Sequence, residues 1–178
     1  TVVYATTEPG EALLLGGHTA VLDEGRLLQY GPTAEVFHAP ASLRVARAFS
    51  DPPMNLLAAT AQAGGVRLPD GSLLPLALPA QAALAAGPLT VGLRASALRV
   101  RARDGDLPVQ GVVALAEISG SDTFVHADTP WGSLVAQLTG VHYFELGAPV
   151  CLYLDPAQAY VFGADEALLL APRRVGGR

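Results

Sequence analysis

The segment QGVVALAEISGSDTFVHADTPWGSLVAQ, residues 110–137, predicts three consecutive β-strands. The candidate strands are Gln110–Ile118, Asp122–Asp128 and Gly132–Gln137. Each combines β-branched or other apolar residues and ends at Gly, Ser, Asp or Pro, which favour turns. Strands this close along the chain pair with their neighbours, so the segment predicts an antiparallel sheet of the kind found in barrels and sandwiches.

The same alternation of short apolar runs and turns extends over residues 55–162. Further candidate strands are Asn55–Gln62, Val66–Leu68, Ser72–Leu76, Leu89–Leu93, Pro149–Leu154 and Tyr160–Phe162. Asp70-Gly71 is the strongest hairpin signal, because Gly readily adopts the positive φ of tight hairpin turns. We also expect a short Ala-rich helix at residues 80–86 and single turns at Ala95–Leu98 and Pro156–Ala159.

Residues 1–50 have an α/β pattern instead. Strands are predicted at Val2–Tyr4, Thr19–Leu22 and Arg26–Tyr30, and Asp23-Glu24-Gly25 predicts the turn between the last two. Helices are predicted at residues 10–15, 34–37 and 43–49, the last with Arg44 and Arg47 on its polar side. Asp51-Pro52-Pro53 then marks a boundary, because prolines cannot continue a helix. We therefore expect one domain over residues 1–51 and a β-rich domain over residues 52–175.

The composition limits the classes of function. The formal net charge of −5 argues against a nucleic-acid partner, which needs clustered cations. All eleven basic residues are Arg, which we attribute to the coding bias of a GC-rich genome. Cys151 is the single cysteine, so no disulfide forms within the chain, as expected in a reducing cytoplasm. No run of about 18 apolar residues predicts a membrane span.

Five segments occur in a distinctive order. They are VVYATTEPGEA (2–12), VLDEGRLLQYGP (21–32), EVFHAPA (35–41), FSDPPMNLL (49–57) and VGLRASAL (91–98). Together they resemble the C-terminal half of the ABC-transporter ATP-binding subunits that import maltose, other oligosaccharides and glycerol phosphate. The first segment resembles the last catalytic loop of the ATPase domain. The fourth and fifth resemble the junction into the regulatory domain and one of its strand-turns.

The resemblance implies a mainly β fold: an OB-like (TOBE) β-barrel regulatory domain preceded by a small α/β remnant of an ABC ATPase domain. It implies ATP and Mg in the full-length family but no cofactor in this chain. It also implies membrane permease partners, a cytoplasmic location at the inner face of the plasma membrane, and a homodimer formed through the regulatory domain. An apolar set in a Gly-rich region is consistent with such self-association, although we expect part of the set to be core: Trp131, Val141, Tyr143, Phe144 and Leu146.

Thr7 is the candidate catalytic residue, since it stands where the family's loop has a His that contacts the γ-phosphate. A threonine hydroxyl donates one hydrogen bond but carries no positive charge, and Pro9 removes a backbone donor nearby. One interpretation is a degenerate site with slow turnover. The alternative is that hydrolysis depends on other parts of the ATPase, or that a partner subunit supplies an intact site.

Other catalytic signals are weak or missing. No Gly-x-x-x-x-Gly-Lys-Ser/Thr phosphate loop exists, because the chain has no Lys, so we expect no ATP hydrolysis by this chain alone. The four histidines lack the spacing of metal ligands: His18, His38, His126 and His142. The segment Ser119-Gly120-Ser121-Asp122 fits either a small-anion cradle or a plain hairpin turn.

Two hypotheses from different classes remain. The first is a regulatory and dimer-forming part of a transport ATPase, which leaves residues 1–50 with an unmatched apolar face. The second is a stand-alone module that binds a small oxyanion of the molybdate type, which requires a sealed barrel and a ligand. The Ser-x-Arg-Asn-x-Leu segment of dedicated molybdate-binding modules does not occur here, so molybdate is not assigned.

Overall fold

Most of the chain is β-structure arranged in three antiparallel sheets, in a computed structural model that describes residues 2–80 and 87–173. The N-terminal part is mixed α/β. Its elements are α1 (Pro9–Leu15), β1 (His18–Asp23), β2 (Arg26–Pro32), α2 (Thr33–His38) and α3 (Leu43–Ala48). The β1–β2 hairpin turns at Glu24 and Gly25, whose φ angles of 47° and 74° are those of a tight two-residue turn. The predicted hairpin is therefore confirmed.

The second sheet has five strands in the order β10-β9-β8-β11-β7. Its strands are β7 (Leu98–Arg99), β8 (Leu107–Ser119), β9 (Asp122–Thr129), β10 (Gly132–Thr139) and β11 (Pro149–Leu154). The sheet curls until its edge strands β10 and β7 lie against each other, which produces a nearly closed barrel. The three strands predicted within residues 110–137 form its β8–β9–β10 meander.

The third sheet has six strands in the order β13-β12-β6-β3-β4-β5. Its strands are β3 (Asn55–Gln62), β4 (Gly65–Arg67), β5 (Leu73–Pro75), β6 (Pro88–Leu93), β12 (Tyr160–Phe162) and β13 (Leu168–Leu170). The last two strands bring the end of the described chain back beside β6, with which β12 pairs. The fold is thus mainly β and OB-like, as predicted.

One apolar core joins the two larger sheets. Side chains alternate between buried and exposed along β3 and β9, since successive strand residues point to opposite faces. The buried set includes Leu57 and Val91 from one sheet and Val125, Leu134 and Leu152 from the other, all at most 1% exposed. Trp131 lies in this core at 5% exposure, so it belongs to the part of the predicted apolar set that is core.

A second, smaller cluster packs α3 onto the six-stranded sheet. Leu43 and Ala46 of α3 meet Met54, Tyr160 and Phe162 there. Gly92 permits this contact, because a Cβ at that position would lie 2.6 Å from the Met54 sulfur. A backbone bridge between Ser42 and Ala167 adds to the same contact. The chain on either side of Asp51–Pro53 is therefore packed together.

Three details of the sequence prediction differ from the structure. Val2–Tyr4 is not a strand: the described chain places no neighbouring strand beside it to complete its backbone hydrogen bonds, and Val2 is 92% exposed. Strand β13 was not predicted, because an unbroken Leu run lacks the alternation that marks a strand. Leu98 begins the short strand β7 after a 3-10 turn over Ala95–Ala97, where only a turn was predicted. The helix predicted at 80–86 lies almost entirely outside the described residues.

Asn55 connects the two larger sheets by hydrogen bonds. Its side-chain amide donates to the Val135 carbonyl at 2.9 Å, and its side-chain oxygen accepts from the Val135 N–H at 2.7 Å. The same amide donates to the Leu93 carbonyl at 3.3 Å. At 6% exposure Asn55 is one of few buried polar side chains in the described residues, and its donors and acceptor are all used.

We predict that Asn55→Ala lowers the free energy of unfolding by about 2–3 kcal/mol, because it leaves buried backbone groups of Val135 without partners. Urea denaturation followed by circular dichroism measures the change. Thr60→Ala, an exposed position on the same strand, is the matched control and changes stability by less than about 0.5 kcal/mol. Equal stability of the two variants would contradict a structural role for the Asn55 bridge.

Candidate functional site: an arginine-lined cleft

A cleft of about 1130 Å³ lies between α2 and the barrel. Five of the eleven arginines of the chain line it: Arg94, Arg99, Arg101, Arg103 and Arg173. Glu35 is the only carboxylate among the lining residues. A chain with a net charge of −5 therefore concentrates positive charge in one concave surface, where low-dielectric walls strengthen the field.

The sequence around β7 explains this concentration. In Leu98-Arg99-Val100-Arg101-Ala102-Arg103 an arginine occupies every second position. Only Leu98 and Arg99 lie in the strand, so the loop that follows β7 places Arg101 and Arg103 at the cleft. The cluster of arginines is visible in the sequence, but attributing the arginine content to coding bias made no use of it.

Arg94 is the arginine most embedded in the fold. One of its Nη atoms donates to the Phe49 carbonyl at 2.6 Å and to Ser50 Oγ at 3.0 Å, and the other donates to the Phe37 carbonyl at 2.9 Å. Its guanidinium also lies 3.8 Å from the centre of the Phe37 ring, a cation–π contact. Nε donates to Tyr160 Oη at 3.3 Å.

The partners of Arg94 are carbonyls at helix ends. Phe37 lies in the last turn of α2 and Phe49 caps α3. Carbonyls at helix C-termini lack partners within the helix and carry partial negative charge, so a cation is favourable there. Arg94 therefore joins the C-terminal ends of both helices to the barrel without an acidic partner.

Arg99 is held by carboxylates. One Nη contacts both oxygens of Asp106, at 2.7 and 2.8 Å, and the other contacts Asp155 at 3.0 Å. Asp106 also accepts from the Arg103 backbone N–H at 2.9 Å, which orders the loop between β7 and β8. The charge of Arg99 is thus compensated, and its role is to position the loop that carries Arg101 and Arg103.

The other three arginines have no acidic partner. Arg101, Arg103 and Arg173 are exposed, and no carboxylate within the described ranges lies at ion-pair distance from their guanidinium groups. Neutral polar side chains share the cleft with them: Ser96, Gln137, Thr139, Gln158 and Tyr160. The cleft thus combines uncompensated positive charge with hydroxyl and amide groups, the chemistry that binds phosphate or carboxylate.

Thr7 lies outside this cleft. It is exposed in the loop before α1, where Thr6 Oγ1 accepts from the Glu8 N–H at 2.9 Å and donates to the Glu11 carboxylate. Tyr4 Oη donates to the same carboxylate at 3.2 Å, and this hydrogen bond and the negative charge of Glu11 raise the pKa of Tyr4. No described residue beside Thr7 forms a catalytic group with it. Its proposed role depends on ATP, which we expect to bind outside this chain.

The other sequence candidates form no site. Ser119 pairs with Asp122 across a two-residue hairpin turn in which Gly120 has a φ of 62°. Asp122 places a carboxylate at that turn, which accepts from Gln137 at 3.4 Å and disfavours an anion. Within residues 2–80 and 87–173 no group of three or more His, Cys, Asp or Glu is arranged to hold a metal ion.

We predict that Arg94→Ala lowers the free energy of unfolding by about 3 kcal/mol, the upper part of the range for hydrogen bonds to a charged group. Arg94→Lys should lose part of this, because an ammonium lacks the planar fork that reaches both helix ends. Chemical denaturation measures the stability, and limited proteolysis measures the opening at residues 38–53. Arg47→Ala on the exposed side of α3 is the control, and wild-type stability of Arg94→Lys would contradict the need for a fork.

Comparison with known proteins finds one matching domain family and several similar proteins. Residues 91–162 match the TOBE domain family. The sn-glycerol-3-phosphate import ATP-binding protein UgpC of Yersinia enterocolitica is 32% identical over 173 residues, which is 94% of this chain and 48% of the relative. Its namesake from Chromohalobacter salexigens is 33% identical over 94% of this chain and 45% of the relative. The chain thus spans about half the length of the curated relatives it matches.

A solved structure shows the same fold. The cytoplasmic molybdate-binding protein ModG, with molybdate bound, superposes with a TM-score of 0.50 over 60% of this chain and 94% of that chain. At 11% identity this likeness concerns the fold alone. With its TOBE-domain match and its similarity over almost its whole length to the UgpC proteins, the chain is similar to about half of an ABC importer ATP-binding subunit.

Proposed function

We propose that this chain is the C-terminal regulatory and dimer-forming region of an ABC importer ATP-binding subunit. The parent protein would couple ATP hydrolysis to uptake of a solute, and the glycerol-phosphate importers among its relatives favour glycerol phosphate or a sugar. ATP and Mg would bind to the part of the subunit that this chain does not contain. The solute would be selected by partner permease subunits.

The observation that carries this proposal is an uncovered apolar face on the N-terminal elements. Leu14 of α1 is 89% exposed, and Leu22, Leu27 and Tyr30 on the β1–β2 hairpin are each at least 60% exposed. A group of large apolar side chains left exposed on neighbouring elements often marks a surface that another part of a protein covers. Relatives about twice as long as this chain contain further chain that could supply the cover.

The alternative, a stand-alone oxyanion-binding module, gains less support. Such a module would bury its own apolar surface, whereas residues 2–30 leave several large side chains in solvent. The Ser119–Asp122 turn carries a carboxylate and no buried unpartnered donor. The likeness to ModG concerns the fold and does not bring its ligand to this chain.

Location and partners follow from the proposed parent subunit. No helix in the described part of the chain is long and apolar enough to cross a membrane. We propose a cytoplasmic subunit that docks on permeases at the inner face of the plasma membrane. The homodimer would use the exposed residues of the predicted apolar set, Val141, Tyr143 and Leu146, because Phe144 packs against the barrel core.

We predict that residues 18–32 exchange their amide hydrogens more slowly in the full-length subunit than in this chain, because the remaining ATPase domain would cover the apolar face. Hydrogen exchange read by mass spectrometry compares the two proteins. Residues 122–129 of β9, inside the barrel sheet in both proteins, are the internal control. Equal exchange of residues 18–32 in both would contradict the proposed cover.

Thr7→His in the full-length subunit should hydrolyse ATP faster than its parent, because an imidazole provides a longer, partly cationic donor to the γ-phosphate. A charge-assisted hydrogen bond of about 1.5–3 kcal/mol corresponds to a rise of about 10- to 150-fold. Steady-state phosphate release measures turnover. Thr6→His, one position away, is the control and should give no gain; unchanged turnover of Thr7→His with ATP still bound would identify Thr7 as a neutral replacement.

Tyr143→Ser combined with Leu146→Ser should weaken dimers of the full-length subunit, because both side chains would leave water on association. Sedimentation equilibrium without nucleotide measures the dissociation constant, and we expect an increase of about tenfold or more. Leu73→Ser, a partly exposed position on β5, is the control and should leave the constant unchanged. Identical dissociation constants for the double variant and the control would exclude this surface as the dimer contact.

A further inference from the structure

We propose that the cleft between α2 and the barrel binds a phosphorylated small molecule that carries two phosphate groups. The inference goes beyond the proposed transport function and does not depend on it, because every lining residue belongs to this chain. It rests on three features: the charge of the cleft, its size, and the contacts that hold its arginine-carrying loop in place.

Charge is the first argument. Arg99 is compensated by carboxylates, and four cleft arginines have no acidic partner in the described part of the chain: Arg94, Arg101, Arg103 and Arg173. Because Glu35 opposes them, these four guanidinium groups leave a charge of about +3 in the cleft, and a phosphate monoester carries about −1.5 to −2 at neutral pH. A bisphosphate, at about −3 to −4, therefore matches the charge of the cleft.

Size is the second argument. A volume of about 1130 Å³ far exceeds what a single oxyanion would fill. Pockets for small organic ligands occupy about 300–1,000 Å³. The neutral polar residues Gln137, Thr139 and Gln158 line the same surface and would face the carbon skeleton and hydroxyl groups between the phosphates.

The third argument is that the charged loop is held in place before any ligand arrives. Arg99 contacts Asp106 and Asp155, and Asp106 accepts from the Arg103 N–H, so the backbone that carries Arg101 and Arg103 is fixed at both ends. Preorganised donors bind an anion with less loss of conformational freedom. A ligand would also touch both α2 and the barrel, and would thereby stabilise the contacts by which Arg94 joins the helix ends to the β-sheets.

Isothermal titration of this chain with fructose 1,6-bisphosphate tests the proposal. We expect a dissociation constant below about 1 mM in low salt, and weakening as salt screens the charges. Inorganic phosphate, at half the charge, should bind at least about tenfold more weakly than the bisphosphate. Citrate, a tricarboxylate, serves as the polyanion comparison and should also bind more weakly.

Paired variants assign the binding to the cleft. Arg101→Ala with Arg103→Ala should raise the dissociation constant for fructose 1,6-bisphosphate by about tenfold or more, since each loses a charge-assisted contact. Arg26→Ala with Arg47→Ala makes the same change in net charge at exposed positions outside the cleft and should have little effect. Glu35→Gln should tighten binding, because it removes the one opposing carboxylate.

Three results would overturn the proposal. The first is the absence of fructose 1,6-bisphosphate binding at 1 mM, roughly the weakest affinity such a charged cleft should give. The second is equal weakening by the two double variants, which would indicate attraction by overall charge. The third is citrate binding as tight as that of the bisphosphate, which would show that the cleft takes any polyanion.

Discussion

The contacts of Arg94 are the interaction on which the arrangement of this molecule depends. Arg94 directly follows β6 of the six-stranded sheet, and its guanidinium binds the Phe37 and Phe49 carbonyls at the ends of two helices and lies over the Phe37 ring. Helix-end dipoles, and not an acidic side chain, balance the charge of Arg94. Because its planar guanidinium reaches two helix ends at once, we expect that a lysine ammonium would not replace it fully. It also forms one wall of the cleft, which links the packing of the helices to the site.

The barrel provides the rigid frame for this junction. Its core joins two sheets, and the buried Asn55 connects them with three hydrogen bonds that leave no polar group of its side chain unpaired. Outside the sheet, the loop that follows the short edge strand β7 holds Arg101 and Arg103 in place. Arg99 shows how the fold achieves this, with two carboxylates that hold the base of the loop.

The N-terminal elements differ in that part of their apolar surface is exposed. Val21, Val36, Val45 and Phe49 form a small core of their own, yet the outer faces of α1 and the hairpin remain apolar and exposed. This division agrees with the proposed position of the N-terminal elements between an ATPase domain and the barrel. A ligand in the proposed site would act at the Arg94 contacts, which join these elements to the β-sheets.

The sequence by itself determined the β-rich class, most strand positions, the hairpins and the family, because alternation, turn residues and ordered motifs are local signals. Strand β3 begins and ends where it was predicted, whereas Val2–Tyr4 failed because an apolar run becomes a strand only beside a partner. Only the tertiary structure decided that Trp131 is core, that Arg94 bridges two helices, and that Arg101 and Arg103 face a cleft with Arg173. These facts join residues distant in sequence, and their burial and charge balance depend on packing that no local pattern encodes.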